Sequence, residues 1–384
     1  MAEFRQSVDG ADYRSPAIHA VNALSAQRTI RLNRTFPDPL VIRFLKLLGR
    51  LSLWTFLLAL TIWGCAALWF DGPASRPLAA LLALAYALAT LALLILLRPR
   101  RRALAAGVIL FAVLLAWWLS LPPSNDRDWQ PSVAQLPSAE IHGDKIVIRN
   151  LRNFDYRSET DFIPHWETRS YDLSRLRGLD LFVIYWGSPS IAHTILSWQF
   201  DDGQHLAASI ETRSQTGQSY SAVRGFFRQY ELYYVLADER DLIGLRTNHR
   251  HEDVYLYRLR TPPARARALL LDYLKTVNRL AGKPKWYNAF SYNCTTTIRL
   301  HAGRVVGGIP HDWRWLANGY LDELLYQEGV VNRELPFATL KALSSKTSNN
   351  ASDNGNLKPA LMKSPCKFVL TGNSERNSQT KSKS

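Results

Sequence analysis

The sequence is poor in cysteine, with three in 384 residues: Cys65, Cys294 and Cys366. Three thiols are too few for the disulfide framework that holds small secreted domains together. They also stand in three different contexts, an apolar run, a mixed segment and a polar tail. A lone thiol in a globular domain is either buried filler or a nucleophile, so Cys294 is a candidate for both.

The N-terminal segment lacks an apolar run. Residues 1–40 are polar and rich in arginine, and no small-residue cleavage site precedes the first hydrophobic segment. A cleavable signal is therefore not expected. We predict instead a polar cytoplasmic arm over residues 1–43.

Excess positive charge is missing from most of the chain, although the net charge is +15. Segments 1–50, 51–102 and 341–384 carry +4, +4 and +6, which leaves about +1 for residues 103–340. A basic groove is therefore not expected in the middle of the chain, and we predict no nucleic-acid partner. The charge flanks the apolar runs and fills the tail.

Three long apolar runs are present, each without an internal charge, at 51–70, 77–97 and 103–121. Each is close to the roughly 20 residues that a helix needs to cross the hydrocarbon layer. We therefore predict a transmembrane region of three helices over residues 44–121.

The flanks of these runs predict their orientation. Basic residues precede the first run and separate the second from the third: Arg43, Lys46, Arg50, Arg98, Arg100, Arg101 and Arg102. Flanks rich in Lys and Arg stay in the cytoplasm, so everything after about residue 122 is expected to be translocated. The sequence thus predicts a multi-pass protein of the bacterial inner (cytoplasmic) membrane, with a cytoplasmic N-terminus and a periplasmic domain.

The remaining chain has the pattern of an α+β domain. We predict a linker at 122–139, a domain at 140–342 and, from its Ser, Asn, Lys and Thr content, a disordered tail at 343–384. Aromatic and β-branched runs predict strands near 145–150, 179–186, 193–200, 205–213, 232–237 and 254–260. A helix is predicted at 264–281 and a second from Cys294 or Thr295. Strands followed by helices are typical of α+β folds.

One predicted hairpin brings a histidine close to a carboxylate. The dipeptide Asp202–Gly203 supplies the turn between the strands HTILSWQF and HLAASIETR. The simplest register places Thr212 opposite His193, and a one-residue bulge places Glu211 or Arg213 there. A carboxylate beside an imidazole fixes its tautomer and raises its basicity.

A nucleophile can be added to this base. Cys294 opens a predicted helix, whose first-turn amides and dipole would stabilise a thiolate. From these residues alone, a buried structural cysteine and a structural histidine remain open alternatives. His249, His251 and Asp253 form an HxHxD pattern, but the arginines around them favour a solvated edge over a metal site, and we predict no metal.

Four blocks in order carry a resemblance to a known family: YWGSPSIAHTILSWQF, HLAASIETR, QYELYYVLADERDLIGLR and KWYNAFSYNCTTTI. Over residues 140–320 the chain resembles the periplasmic domain family typified by the N-terminal domain of the lipoprotein N-acyltransferase Lnb. That family is similar to permuted papain-like (NlpC-type) thiol enzymes, in which the histidine strand precedes the cysteine helix. In that acyltransferase the membrane portion follows the domain, whereas here three helices precede it.

The resemblance implies roles for particular residues. Cys294 would be the nucleophile, His193 the base and Glu211 an orienting residue, with Asn293 and Thr295 forming or supporting an oxyanion site. A polar motif of the family corresponds to Glu239, Asp241 and Arg246, which can serve simply to hold the fold.

The implied activity is that of a membrane-anchored periplasmic thiol acyltransferase. It would form an acyl-Cys thioester from a phospholipid or lipoprotein ester and pass the acyl group to an amine such as a lipoprotein N-terminus, without a cofactor. Two alternatives stay open. The same dyad can serve a cysteine hydrolase (a peptidase, amidase or lipid hydrolase), or the domain can be a non-catalytic, membrane-tethered binding or scaffold module.

Overall fold

A computed structural model describes residues 39–346, so most of the predicted arm and tail lies outside the described residues. The chain divides into two compact units, residues 1–62 and residues 63–384. Of the first unit, the structure describes residues 39–62, which form the larger part of helix α1. All other elements belong to the second unit.

Three helices are long and apolar enough to cross a membrane: α1 (Pro39–Asp71), α2 (Arg76–Leu96) and α3 (Arg100–Ser120). Most of their large apolar side chains are exposed in the isolated chain, as contact with lipid requires. The prediction of three long apolar helices before the domain is therefore confirmed. Helix α1 starts twelve residues before the predicted first span, so residues 39–43 of the predicted arm are helical.

In the part of the chain that the structure describes, ten strands follow: β1 (Ser138–His142), β2 (Lys145–Arg152), β3 (Asp155–Tyr156), β4 (Phe162–Ile163), β5 (Trp166–Asp172), β6 (Leu176–Tyr185), β7 (Ala192–Phe200), β8 (His205–Arg213), β9 (Glu231–Ala237) and β10 (Asp253–Leu259). Eight of them form one sheet in the order β1-β2-β9-β8-β7-β6-β10, with β5 paired to β2. Within residues 39–346, the β2–β9 pair is the only parallel one. Strands β3 and β4 form a separate ribbon.

Five helices pack with the sheet: α4 (Glu239–Gly244), α5 (Pro263–Gly282), α6 (Cys294–Val306), α7 (Leu321–Gln327) and α8 (Phe337–Ser344). Alternate residues of β9 show that both sheet faces are covered. Tyr234 belongs to the core shared with α5 and α6, while Tyr233 and Val235 belong to the opposite core beside α4. This strands-then-helices architecture confirms the predicted α+β class.

The segment between α3 and the sheet is tied down along its length. Asn125 donates to the carbonyls of Leu280 and Ala281 at the end of α5, at 2.9 Å each. The Trp129 indole N–H donates to the Asn125 carbonyl at 2.9 Å. Residues 121–130 therefore form a fixed stalk.

One end of the sheet lies beside this stalk. The Glu231 carboxylate, at the start of β9, accepts from the Ser124 backbone N–H at 3.1 Å and pairs with Arg127 at 2.8 Å. The antiparallel neighbour β8 ends opposite it, since Arg213 pairs with Glu231. We call this edge, which also holds the start of β7, the span-side end of the sheet.

Candidate active site

The β7–β8 hairpin sets the position of the histidine. Its register runs from Gln199 opposite His205 to Ile195 opposite Ser209. Two residues further, the same register brings His193 opposite Glu211, one residue away from the simplest predicted pairing. The turn includes Gly203 at φ +83°, a left-handed conformation that favours glycine. His193 and Glu211 thus lie at the span-side end of the sheet.

Ser209 joins the histidine to the carboxylate. Its hydroxyl lies 2.7 Å from His193 Nε2 and donates to Glu211 Oε1 at 2.8 Å, while Nε2 itself is 3.7 Å from that oxygen. A serine has one hydroxyl proton, so Ser209 must accept from Nε2–H. The proton of the neutral ring therefore sits on Nε2, and Nδ1 is the nitrogen left for a thiol. The Trp186 ring stacks on the imidazole at 5.9 Å between centroids.

Cys294 is the first residue of α6 and is 7% exposed. Burial raises the pKa of its thiol, but the charge of His193 and hydrogen bonds from His193 and Thr194 lower the pKa to about 6. A thiol at a helix N-terminus beside an imidazolium is expected to ionise easily. The structure thus brings His193 and Cys294 together, and this contact favours the ionised form of the thiol.

Glu211 is held in its charged form. Burial raises the pKa of this carboxyl, but the charges of Arg246 and His193 among others lower the pKa to about 2. Arg246 Nη2 lies 3.2 Å from Glu211 Oε1, and Nη1 pairs with Glu252 at 3.0 Å. The group behind Ser209 is therefore a carboxylate at any pH at which the thiolate exists.

The two predicted supporting residues have different surroundings. The Asn293 side chain accepts from the Thr296 backbone N–H at 2.8 Å and donates to the Ala289 carbonyl at 2.8 Å, so it caps α6. Thr295 is fully buried, and its hydroxyl accepts from Asn318 Nδ2 at 2.7 Å. The side chain of Asn293 is thus occupied by the cap, and both residues hold the start of α6.

Three further polar residues complete the site and were missed from the sequence: Thr194, Ser209 and Asn318. The sequence could have indicated Ser209, because this residue is two positions before Glu211 and therefore lies on the same face of the strand. Nothing in the sequence indicated Asn318; its amide reaches 4.0 Å from the Cys294 sulfur and its carbonyl oxygen accepts from the Ala192 N–H at 2.8 Å.

A comparison with protein families bears on this site. The Lnb N-terminal periplasmic domain model matches residues 162–319. The resemblance predicted from the sequence is thereby confirmed. The matched segment, here called the Lnb-type domain, contains His193, Glu211, Cys294 and Asn318. No curated protein and no solved structure matches the chain. With the three spans, the match indicates a membrane protein that carries a periplasmic domain.

The three residues of the polar motif, Glu239, Asp241 and Arg246, make different contacts: two hold the fold and one reaches the site. Asp241 is fully buried, pairs with Arg152 at 2.8 Å and accepts from the Phe154 N–H at 2.7 Å, so it fastens α4 to β2. Glu239 pairs with His205 at 2.8 Å. Only Arg246 contacts the site, through Glu211.

A second buried histidine of the Lnb-type domain is structural. His301 on α6 lies between the Tyr234 hydroxyl at 2.7 Å and Asp272 at 2.6 Å. Burial lowers its pKa to about 4 despite Asp272, so the ring stays neutral near pH 7. Among residues 39–346, no three His, Cys, Asp or Glu side chains group as metal ligands.

An apolar cavity of about 690 Å³ lies alongside α6, with Ile298 and Val305 in its wall. Cys294 is not among the residues that line it. The cavity is therefore separate from the thiol, with the side chain of Ile298 one helical turn away from Cys294.

Proposed function

We propose that the protein is a membrane-anchored thiol acyltransferase that works at the periplasmic surface of the bacterial inner membrane. The observation that carries this proposal is the series Cys294, His193, Ser209 and Glu211, together with a thiol pKa of about 6 in a nearly buried cysteine. A structural cysteine buried to this degree would have a raised pKa. A buried cysteine whose pKa is lowered by a chain of polar side chains is typical of functional sites.

In the first half-reaction, the Cys294 thiolate attacks the carbonyl carbon of a phospholipid or lipoprotein ester. The carbon–sulfur bond forms as the carbonyl oxygen takes up negative charge, next to the backbone N–H groups of the first turn of α6. The carbon–oxygen bond of the ester then breaks. The imidazolium of His193 gives its Nδ1 proton to the departing alkoxide, which leaves an acyl thioester and an alcohol.

In the second half-reaction, a neutral amine attacks the thioester. His193 Nδ1 accepts the amine proton, the carbon–sulfur bond breaks, and the Cys294 thiolate is restored with an amide as product. Ser209 and Glu211 hold Nε2–H in place through both steps. A lipoprotein N-terminus is an amine of the required kind, and no cofactor takes part.

The anchor supports a lipid-linked substrate. The site lies at the span-side end of the sheet, and Trp286, eight residues before Cys294, donates to the carbonyl of Leu121, the first residue of the stalk. Enzyme and substrate held at one membrane surface meet at a raised effective concentration.

The proposal includes a topology with a cytoplasmic N-terminus and the Lnb-type domain outside the cytoplasm, because the arginine-rich flanks lie before α1 and between α2 and α3. Single cysteines placed at Ile163 in the domain and at Arg100 can be tested in intact spheroplasts. A membrane-impermeant maleimide is expected to label position 163 at once and position 100 only after lysis. The opposite pattern would reverse the topology.

The deciding experiment is intact-mass analysis of the detergent-purified full chain after incubation with phospholipid, with and without hydroxylamine. We expect a hydroxylamine-labile acyl adduct in the wild type and none in Cys294→Ala. Addition of an amine acceptor should discharge the adduct to an acylated amine. Discharge to a free acid alone would make the protein a hydrolase. No adduct, together with slow alkylation of Cys294, would leave a binding module.

A further inference from the structure

Two adjoining loops at the span-side end present large apolar side chains to solvent. Tyr220, Val223 and Phe226 lie between β8 and β9, and Phe290 and Tyr292 lie just before α6; they are 40–61% exposed. We call these five residues the apolar patch. A soluble surface seldom exposes such a cluster unless it contacts a partner or a membrane.

The two loops are joined to each other by backbone hydrogen bonds. The Ala289 N–H donates to the Gly225 carbonyl at 2.8 Å, and the Tyr287 N–H donates to the Tyr230 carbonyl at 2.9 Å. A Cβ at Gly225 would come within 3.2 Å of the Ala289 Cβ, so the chains touch at this point. The apolar patch is therefore one surface.

The first loop is also fixed to the end of α1. The Phe227 ring, next to Phe226, packs on Phe70 at 4.9 Å between centroids. Gln229 Nε2 donates to Asp71 Oδ1 at 2.7 Å, and the Arg228 N–H donates to Asp71 Oδ2 at 3.1 Å. Asp71 is the last residue of α1, so this loop is fixed where the first candidate span ends.

The second loop is fixed to the end of α3. The Trp286 indole N–H donates to the carbonyl of Leu121 at 3.0 Å, directly after the last residue of that helix. Arg228 Nη1 donates to the same carbonyl at 2.6 Å, and its guanidinium lies over the Trp118 ring at 4.5 Å. Tryptophans are enriched at the level of the lipid headgroups, so both loops start at that level.

From this continuity with the spans, we infer that the apolar patch inserts into the outer leaflet of the same bilayer that α1, α2 and α3 cross. The occupant of the surface is phospholipid. Aromatic and aliphatic side chains on a loop gain free energy by entering the boundary between headgroups and acyl chains. Lys285, exposed and with its ammonium 5.8 Å from the Tyr292 ring centroid, adds a cation at the height of the lipid phosphates.

The patch adjoins the thiol. Tyr292 of the patch is two residues before Cys294 in the chain, and the phenols of Tyr220 and Tyr287 lie close enough to Cys294 to interact with its charge. An ester can therefore pass sideways from the leaflet to the sulfur without leaving the membrane. Membrane insertion stands by itself, while this delivery route rests on the proposed function.

The test of insertion is lipid quenching of a fluorophore in the full-length protein. Phe226→Cys and, separately, Phe290→Cys are labelled with bimane in a chain with Cys65, Cys294 and Cys366 replaced by Ala, and reconstituted with nitroxide-labelled phosphatidylcholine. Ile163→Cys is the matched control, since Ile163 is 53% exposed and apolar but pairs with Asp155, away from the span-side end. Positions 226 and 290 should be quenched at least about twofold more than position 163. Equal quenching at all three positions would overturn the insertion.

A second measurement needs no substitution. Wild-type protein in vesicles is irradiated with a phosphatidylcholine that carries a diazirine in its acyl chain, and adducts are mapped on peptides. Adducts are expected at 219–227 and 286–293, and their absence there, with adducts on the spans, would also overturn the insertion.

The delivery route is tested with the double variant Phe226→Asp/Phe290→Asp. Acylation of Cys294 by vesicle phospholipid should fall at least about tenfold, whereas alkylation of Cys294 by soluble iodoacetamide should not change. An unchanged acylation rate would refute the route. If the wild type forms no adduct at all, the proposed function fails, and the quenching result still decides insertion.

Discussion

At the scale of single residues, the hydroxyl of Ser209 determines which nitrogen of the His193 imidazole is basic. Ser209 donates to Glu211, so it can only accept from His193 Nε2, and the lone pair of the neutral ring must point from Nδ1. Glu211 thus orients the base through an intermediate group, 3.7 Å from the ring. Such an arrangement separates two effects that a direct carboxylate–imidazole bond would merge: orientation comes from Ser209, charge from Glu211.

Removal of His193 should change the pH dependence of the thiol. In the wild type, the rate of Cys294 alkylation is expected to rise with pH through about 6 and then level off, because the thiolate is complete above its pKa. In His193→Ala the two lowering interactions from His193 are lost, while burial and the hydrogen bonds from Thr194 remain, so the midpoint should move upward toward the ordinary value of about 8.5. Peptide-resolved mass spectrometry measures the rate, and His311→Ala, an exposed loop histidine, should match the wild type. An unshifted midpoint in His193→Ala would mean that His193 does not lower the pKa of the Cys294 thiol.

Ser209→Ala should uncouple the base from its carboxylate. We expect acyl transfer to fall about 10–100-fold, as when a residue that orients a functional histidine is lost. Because a merely structural serine would not alter titration, the pH profile of transfer should also shift. Ser197→Ala is the matched control: Ser197 is buried on β7, and its hydroxyl makes no hydrogen bond with the described part of the chain. Equal behaviour of the two variants would contradict the role of Ser209.

At the scale of elements, the start of α6 combines the proposed nucleophile, Cys294, with a complete helix cap. Asn293 and Thr296 form a capping box: the Asn293 side chain accepts from the Thr296 N–H, and the Thr296 hydroxyl accepts from the Asn293 N–H at 3.1 Å. The cap fixes the backbone of Cys294 immediately after it. Position and reactivity of the thiol thus depend on the same turn.

Asn293→Ala should lower the free energy of unfolding by about 1 kcal/mol, the usual loss of a side-chain cap. The thermal midpoint of the detergent-solubilised protein measures this. Asn293→Ser keeps a capping oxygen and should restore both stability and acyl transfer. If Ser restores stability but not transfer, the Asn293 amide acts on the substrate, as the family resemblance implied.

The central elements could be predicted because their burial leaves a clear pattern. Strands β6 to β9, inside the sheet, are continuous apolar or alternating runs, and α5 has a periodic face closed by Gly282. Strands β1 and β5 were not predicted. They lie at the edge of the sheet, and they mix exposed polar residues such as Glu140 and Arg169 with a few buried ones. Local sequence carries little signal at such positions.

The site was predictable only in part, for a related reason. Cys294 and His193 were found through a helix start and a hairpin, both of which are local features. Asn318 reaches the sulfur from a short 3₁₀ helix between α6 and α7. Gly319 is required there because a Cβ would lie 2.1 Å from the Pro189 carbonyl oxygen. That contact depends on tertiary packing between distant segments, and no spacing in the sequence reveals it.

At the scale of the whole molecule, Asp71 links the end of α1 to the Lnb-type domain. Its carboxylate accepts from the indole N–H of Trp118 at 2.7 Å as well as from Gln229 and the backbone of Arg228. The Asp71 carboxylate therefore joins three segments: the end of α1, the last turn of α3 and the loop that contains Arg228 and Gln229.

Asp71→Ala should loosen the domain from the spans. Trypsin cleavage after Arg127 in the stalk is expected to become severalfold faster in reconstituted protein, since local opening controls such cleavage. Asp144→Ala, which removes an exposed carboxylate paired with Arg267, should cleave at the wild-type rate. Cleavage at the wild-type rate in Asp71→Ala would mean that the stalk is held without this carboxylate.

The fixed stalk sets the height of the domain above the membrane. A flexible tether would let the domain sweep a volume and reach bonds at many distances from the bilayer, whereas Asn125 and Arg127 hold this domain at one level. For the lipid-linked substrate that we propose, the bond to be cleaved would have to come to that level by moving within the plane of the membrane. The encounter would then be a search in two dimensions, and lengthening the stalk would change which bonds can be reached before it changed any chemistry.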